Sequence, residues 1–343
     1  MLRFFFLMTI REIAKELKLS TATVSLALSG EGAKYNLSAK TVERVREFAK
    51  KSGYVPNRLA IKLFGKKVDQ TIGLLFMQGS ADDRTTPLLN HAMRYLTDNH
   101  REFQVYSCHD FYSNPAAYVN TLQYMRGMGL RIIVIIGPLN QNYSMDPRLY
   151  EGLEVYAMDF DETAIGIPPF FRSVGLCNRR EFHTRLVHAL IAQGQGPILT
   201  QNAVRFMVDD WKDEYGVALP DPTDMSKDFF AIGQDLCQTA VELFRQGRCR
   251  TFLSHNDRIA TGMMSSLLAK GIRIPEDIQI IGYNDSEYAD YTAIPLSSVR
   301  SPAESHTLQA LEHLVKGTPL PRTLFSPLKL VQRKSSRLLE ELS

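Results

Sequence analysis

Thr21, Ala22, Ser25 and Leu26 recur at the spacing that places side chains on one side of a helix. Small and hydroxyl-bearing groups in that pattern let a helix lie close against another surface. Ser20, Ser38 and Asn57 fall at helix starts or on the same outward side, and Thr9 opens the segment. Hydroxyls, amides and backbone N–H groups at such points suit phosphate oxygens. Lys40, Arg58 and Lys62 add positive charge. Ala22 and Leu26 lack the paired donors that read guanine, but they can pack on thymine methyl groups.

A second set of polar residues follows short apolar runs. Ser254-His255-Asn256-Asp257 and Gly282-Tyr283-Asn284-Asp285 each end such a run. Amides and carboxylates there can hold hydroxyl groups through paired hydrogen bonds, which makes Asn256, Asn284 and Asp285 candidate contacts to a small molecule. Asn256 and Asp257 equally suit the cap of a following helix, and the sequence leaves both readings open.

The chemistry of a catalyst is not assembled. No G-x-S-x-G elbow, Walker A loop, H-E-x-x-H or G-x-G-x-x-G pattern occurs. His183 and His188 are spaced i, i+5 and do not stack as a metal pair. Asp209-Asp210 with Asp213-Glu214 reads as a solvated acidic face. Cys108, Cys177, Cys237 and Cys249 form no C-x-x-C pair, so reduced thiols are expected and neither a zinc site nor any other cofactor is. The run Phe4–Met8 is too short for the apolar core of a secretion signal and far too short to span a bilayer, so a cytoplasmic protein without membrane contact is expected.

Two kinds of element must position these groups. Thr9 with Glu12 is a capping box for a helix burying Ile13, Ala14 and Leu17. Lys18-Leu19 is the turn, and Ser20 caps a second helix with Val24 and Leu28 inward. Ser38 caps a third, with Val42, Val45, Phe48 and Ala49 buried and Gly53 beyond its end. This is a helix-turn-helix and a supporting helix. Residues 1–67 hold 14 Lys+Arg against 5 Asp+Glu, whereas the remainder holds 26 against 32. The modest net charge of +3 thus conceals a basic head on an acidic body, an electrostatic footprint for nucleic acid.

From Thr71 short apolar runs alternate with helix-length segments. Strands are expected over 71–76, 103–107, 131–136 and 153–158, then over 173–176, 197–200, 229–232, 251–254 and 278–282. Helices are expected over 87–99, 115–128, 179–192, 235–245 and 257–270. The alternation implies parallel sheets covered by helices, as two doubly wound α/β lobes with a ligand cleft between them.

The text Thr9-Ile10-Arg11-Glu12-Ile13-Ala14, Leu19-Ser20-Thr21-Ala22-Thr23-Val24-Ser25, Ser38-Ala39-Lys40-Thr41 and Gly53-Tyr54-Val55-Pro56-Asn57-Arg58-Leu59-Ala60 closely resembles the start of the LacI/GalR family of bacterial repressors. The resemblance starts at Thr9, so Met8 is the expected natural start and residues 1–7 an upstream extension. It implies a DNA-binding domain over 8–55, a hinge over 56–68 and a two-lobed effector and dimerisation body over 69–343. The first lobe would take about 69–165 and 299–325, and the second about 166–298 and 326–343, with the helix 302–316 crossing back to the first lobe.

The resemblance also implies a homodimer repressing from a pseudo-palindromic double-stranded operator under a small-molecule effector, with a sugar as the expected class. Leu63 matches a minor-groove wedge. Positions matching Asn256 and Asn284 face the effector cleft, the second being usually Asp. The family's Arg ahead of the aromatic matching Trp211 is here Met207; Arg205 is the candidate substitute, and the stretch Gly194 to Trp211 is several residues short. Leu26 stands where many relatives carry a base-reading Arg or His, and the loop from Gly30 to Asn36 is slightly long. The other reading is a ligand-binding protein whose basic head does not read DNA.

Overall fold

The computed structural model describes residues 9–28, 32–52, 70–78, 85–109, 115–137, 139, 146–160, 167–221 and 228–337. The chain divides into two compact units, Met1–Val68 and Asp69–Ser343.

Among the described residues the first unit holds three helices, α1 (Ile10–Leu17), α2 (Thr21–Leu28) and α3 (Ala39–Lys51), with a 3-10 turn at Gly32–Tyr35. Ile13, Ala14, Val24, Ala27, Val45 and Ala49 form its buried core. Leu28, expected inward, is only partly buried, and Ala27 takes the central place beside Val24. Arg44 donates to the carbonyl of Leu17 at 2.7 Å, tying α3 to the last turn of α1.

The second unit contains two six-stranded sheets among the described residues. The first consists of β1 (Ile72–Gln78), β2 (Phe103–His109), β3 (Ile132–Ile136), β4 (Glu154–Ala157), β5 (Phe171–Leu176) and β11 (Thr323–Phe325), in the order β11-β5-β4-β3-β1-β2. The second consists of β6 (Ile198–Gln201), β7 (Gly216–Leu219), β8 (Thr251–Leu253), β9 (Gln279–Tyr283), β10 (Ser297–Arg300) and β12 (Lys329–Val331), in the order β12-β10-β9-β8-β6-β7. All pairings are parallel except β10 with β12. Strand order reverses beside β1 and again beside β6, so each lobe has a switch point where a crevice opens beyond the strands' carboxyl ends.

Helices α4 (Thr85–Asp98), α5 (Pro115–Gly127) and α6 (Pro147–Tyr150) follow β1, β2 and β3. Helices α7 (Arg179–Ala192), α8 (Asn202–Arg205), α9 (Phe229–Arg245) and α10 (Asp257–Ala269) belong to the second lobe, and α11 (Ala303–Lys316) returns to the first. Ala303, Ala310 and Leu311 of α11 pack with Leu88 and Leu96 of α4 and with Val134 and Tyr156 of the sheet. In the second lobe α9 and α10 approach closely enough that a Cβ on Gly262 would lie 2.0 Å from the carbonyl oxygen of Phe230, and one on Gly233 2.1 Å from that of Ile259.

Two expectations are corrected. Phe229–Ile232 is not a strand but the first turn of α9, capped by Asp228, whose carboxylate accepts from the Phe230 N–H at 3.1 Å. Phe229 and Ile232 face one core at helical spacing, a pattern that a short apolar run cannot distinguish from a strand. The strand actually present is β7, half-exposed along its length and therefore without an apolar signature. It begins at Gly216 with φ 149°, where a Cβ would sit 1.8 Å from the Ile198 oxygen.

The second correction concerns the lobes. Strand β5 pairs with β4 and β11, so the first lobe extends through Leu176 rather than ending at 165. At the return crossing β10 pairs with β9, so the chain leaves the second lobe after Arg300.

Candidate nucleic-acid interface and interlobe groove

The head is built from caps that close on themselves. Thr9 accepts from the Glu12 N–H at 3.3 Å, and the Glu12 carboxylate accepts from the Thr9 N–H at 2.7 Å. Lys18 adopts a left-handed conformation (φ 52°) that ends α1. The Ser20 hydroxyl accepts from the Thr23 N–H at 3.0 Å, and that of Ser38 from the Thr41 N–H at 3.2 Å. Thr9, Ser20 and Ser38 therefore hold the helix starts in place. Thr21, Ala22, Ser25 and Lys40 are exposed, whereas Leu26 is half-buried and only partly outward. Asn57, Arg58 and Leu63 lie outside the described residues.

In the body, the candidate effector residues do not all come together. Asn256 is 4% exposed and its side-chain oxygen accepts from the N–H groups of Arg258 (2.7 Å) and Ile259 (3.3 Å). It is the N-cap of α10. Asp285 accepts from Arg333 at 2.7 Å and from Arg300 at 2.5 Å, and is 4% exposed in its side chain. It anchors the end of β9 to β10 and to the segment after β12. Asn284 and Asp285 both have positive φ (109° and 52°), which turns the chain sharply after β9. Arg205 is exposed at the end of α8, and Met207 is half-exposed. Trp211 packs at the rim of the core formed by α7 and the sheet, with its ring edge-on to Tyr215.

A groove of about 870 Å³ does gather Asn284 and Asp285. Its other walls are His91 and Tyr95 of α4, Arg300 and Ser301 at a lobe crossing, and Glu304 of α11. Asn256, Arg205 and Met207 are not among its lining residues. Ion pairs and hydrogen bonds run through it: His91 meets Glu304 at 2.7 Å and Glu287 at 3.8 Å, and Arg300 meets Asp285, while Glu312 and Lys329 also line it. Sequence reasoning missed the α4 and α11 residues because they are far apart in the chain and form no motif. A tie between the lobes lies nearby, where Arg179 at the start of α7 pairs with buried Asp159 after β4.

Two buried groups titrate in opposite senses. His183 is 1% exposed, donates to the Arg179 carbonyl at 2.7 Å and stacks on Tyr283; burial pushes its pKa down to about 4. Asp257 is fully buried and accepts from the Ser298 hydroxyl (2.6 Å) and the Ser286 N–H (2.7 Å); burial pushes its pKa up to about 6. On acidification the unfolded chain protonates its histidine near 6.5 while folded His183 stays neutral, so stability falls between about pH 6.5 and 4. Asp257 does the reverse: its contribution is complete below 3.8 and is lost as pH rises through about 6. Each term is on the order of 3 kcal/mol, so they largely offset. Asp257→Asn is expected to lose stability on acidification from pH 6 to 4 more steeply than the wild type, by roughly 2–3 kcal/mol in urea unfolding. Parallel profiles would contradict this assignment.

Among the described residues no group of three His, Cys, Asp or Glu is placed to hold a metal, and no helix is long and apolar enough to cross a membrane.

Comparison with known proteins agrees with this architecture. Residues 9–57 match the model of bacterial regulatory proteins of the lacI family, and residues 179–336 match a periplasmic binding protein-like domain. The HTH-type transcriptional regulator AscG of Escherichia coli (strain K12) is 26% identical, covering 95% of this chain and 98% of its own. The ribose operon repressor of Bacillus subtilis (strain 168) is also 26% identical, over 96% and 98%. Among solved structures, the Lac repressor bound to ONPG in its repressed state superposes with a TM-score of 0.72 at 19% identity, over 96% of this chain and 99% of that one.

Proposed function

The chain belongs to the LacI family of bacterial regulatory proteins, and from that premise we infer how it works as a sequence-specific DNA-binding transcriptional regulator. It acts as a repressor and a homodimer on a pseudo-palindromic operator, under the control of a small-molecule effector. The relatives are transcriptional regulators rather than enzymes, and this chain has the same role in the cytoplasm.

The observation that carries the reading is the capped helix-turn-helix with the exposed face Thr21, Ala22 and Ser25. Residues 8–55 form the reading domain, and 56–68 the hinge. Helix α2 lies in the major groove. Lys40, Asn57 and Arg58 hold phosphates, together with backbone groups at the starts capped by Thr9, Ser20 and Ser38. Leu63 wedges into the minor groove. The test is binding of the full chain to the region upstream of its own gene as salt is raised. Log affinity should fall with log salt by about 0.9 per neutralised phosphate. Salt-independent binding, or equal affinity for unrelated duplexes, would favour a ligand-binding protein with an incidental basic head.

Specificity at the half-site comes from apolar contact. Ala22 and Leu26 pack on thymine methyls, each good base contact contributing on the order of 1–3 kcal/mol. Leu26→Arg should shift the preferred base pair beneath it from T·A to G·C in a binding-site selection. Recovery of one sequence by both proteins would count against this placement.

The homodimer surface proposed is the edge strand β2 with α5 and the turn after it, where Val105, Tyr124 and Met128 are 40%, 61% and 55% exposed. The effector is a neutral polyhydroxylated molecule, with a carbohydrate as the favoured class. The support is the groove at Asn284, where Arg300 is already paired with Asp285 and the Asn284 amide and the Ser286 hydroxyl lie among the lining groups. Arg205 and Met207 stand outside that groove, so they act on the ligand only if the lobes close further. In thermal-shift screening a sugar at about 100 times its Kd should add roughly 2.7 kcal/mol of stability. Asn284→Ala should abolish the gain. Asn256→Ala should instead lower baseline stability by about 1 kcal/mol through loss of its cap. A gain that survives Asn284→Ala would place the ligand elsewhere.

A further inference from the structure

We propose that the 3-10 turn Gly32–Tyr35 is an additional DNA-backbone clamp, in which Lys34 and Tyr35 hold phosphate and deoxyribose beside the groove occupied by α2. The inference rests on the reading of the head as the DNA-binding unit. It goes further by assigning a contact to the slightly long loop between α2 and α3.

Tyr35 is 55% exposed. The head's core has no place for it: Leu37, two residues on, packs against that core, while Tyr35 does not. Lys34 and Asn36 are exposed beside it. An aromatic ring and an ammonium group are thus presented together on a unit that carries a large excess of positive charge. From Gly32 to Val42 the chain has Lys34 and Lys40 and no acidic residue.

The turn is closed by local contacts. The Leu37 N–H donates to the Gly32 carbonyl at 2.8 Å, and Asn36 closes the turn in a left-handed conformation (φ 57°). Gly32 is buried against α3, where a Cβ would lie 2.8 Å from a methyl of Val42.

Placement selects the ligand. The exposed stripe of α2 runs from Thr21 and Ala22 through Ser25 toward its C-terminal end, and the turn follows that end. On its other side the turn leads into the start of α3, with Ser38 and Lys40 exposed. Residues so placed lie beyond the bases read by α2 and beside the flanking backbone. A lysine ammonium matches a phosphate as a point charge, and a phenol offers a hydroxyl donor to phosphate with an apolar face for the sugar.

The test uses full-length protein, a duplex from upstream of its own gene and a random-sequence duplex of equal length. Lys34→Ala should reduce the slope of log affinity against log salt by about 0.9 per subunit. It should weaken both duplexes by the same factor, since a backbone contact carries no sequence information. Tyr35→Ala should weaken both several-fold, with the melting temperature unchanged. Three results would overturn the proposal: a wild-type slope in Lys34→Ala together with wild-type affinity in Tyr35→Ala, loss confined to the upstream duplex, or a change in dimer assembly without a change in DNA affinity. A steep wild-type slope with unaffected variants refutes the clamp alone. Absence of salt-dependent binding in the wild type refutes the DNA-binding reading, and the clamp falls with it.

Discussion

Ala22→Glu is expected to lower affinity for any duplex by at least about 100-fold, because like charges forced together at an interface cost several kcal/mol and about 1.4 kcal/mol is a factor of ten. Ala22 is exposed in the first turn of α2, on the face proposed to enter the groove. A glutamate there would point at the phosphates and replace a close apolar contact. It would not harm the helix, since a carboxylate in the first turn is favoured by roughly 0.3–1 kcal/mol through the helix dipole. Circular dichroism and melting temperature should therefore match the wild type. Anisotropy titrations showing retained affinity would remove α2 from the interface.

Asp285→Ala is expected to destabilise the body by about 3–5 kcal/mol, the usual result of removing one partner from a buried pair. The carboxylate is 4% exposed and the Arg333 side chain 11%, so the guanidinium would lose a close partner in a setting with little water. Arg300 is 58% exposed and contributes less because solvent screens it. Alanine would also occupy a left-handed backbone position (φ 52°), which is unfavourable by roughly 1–2 kcal/mol. Asparagine tolerates that conformation and keeps one acceptor, so Asp285→Asn should fall between. Urea unfolding measures both. A loss below about 1 kcal/mol for Asp285→Ala would mean that Asp290, which also pairs with Arg333, is a sufficient partner.

Asp285 also shows where sequence reasoning reached and where it stopped. Its position after a buried strand was legible, because Gln279–Tyr283 is an uninterrupted buried run ending in polar residues. That its carboxylate would be committed to Arg300 and Arg333 was not, since those partners lie 15 and 48 residues away. Asn256 is the local counterpart. Its capping bonds reach only two and three residues ahead, and the sequence admitted the cap as one of two readings.

The helical head was specified almost wholly by neighbours in sequence. The caps at Thr9, Ser20 and Ser38 each close over three residues, and the apolar spacing of each helix marks its buried side. The alternation that makes the body two parallel α/β lobes was equally local. Tertiary structure decided what depends on competition between distant segments. It turned Phe229–Ile232 into helix because the Asp228 cap and the core beneath α9 outweigh a short β-like run. It assigned β5 to the first sheet by pairing it with β4 and β11. It also formed the groove at Asn284 from α4 and α11, whose residues meet only when the chain crosses back between the lobes. Caps and periodicity act over one turn of helix or one strand and can be read directly. Strand partners, ion pairs and grooves depend on which surfaces remain to be buried once those elements pack.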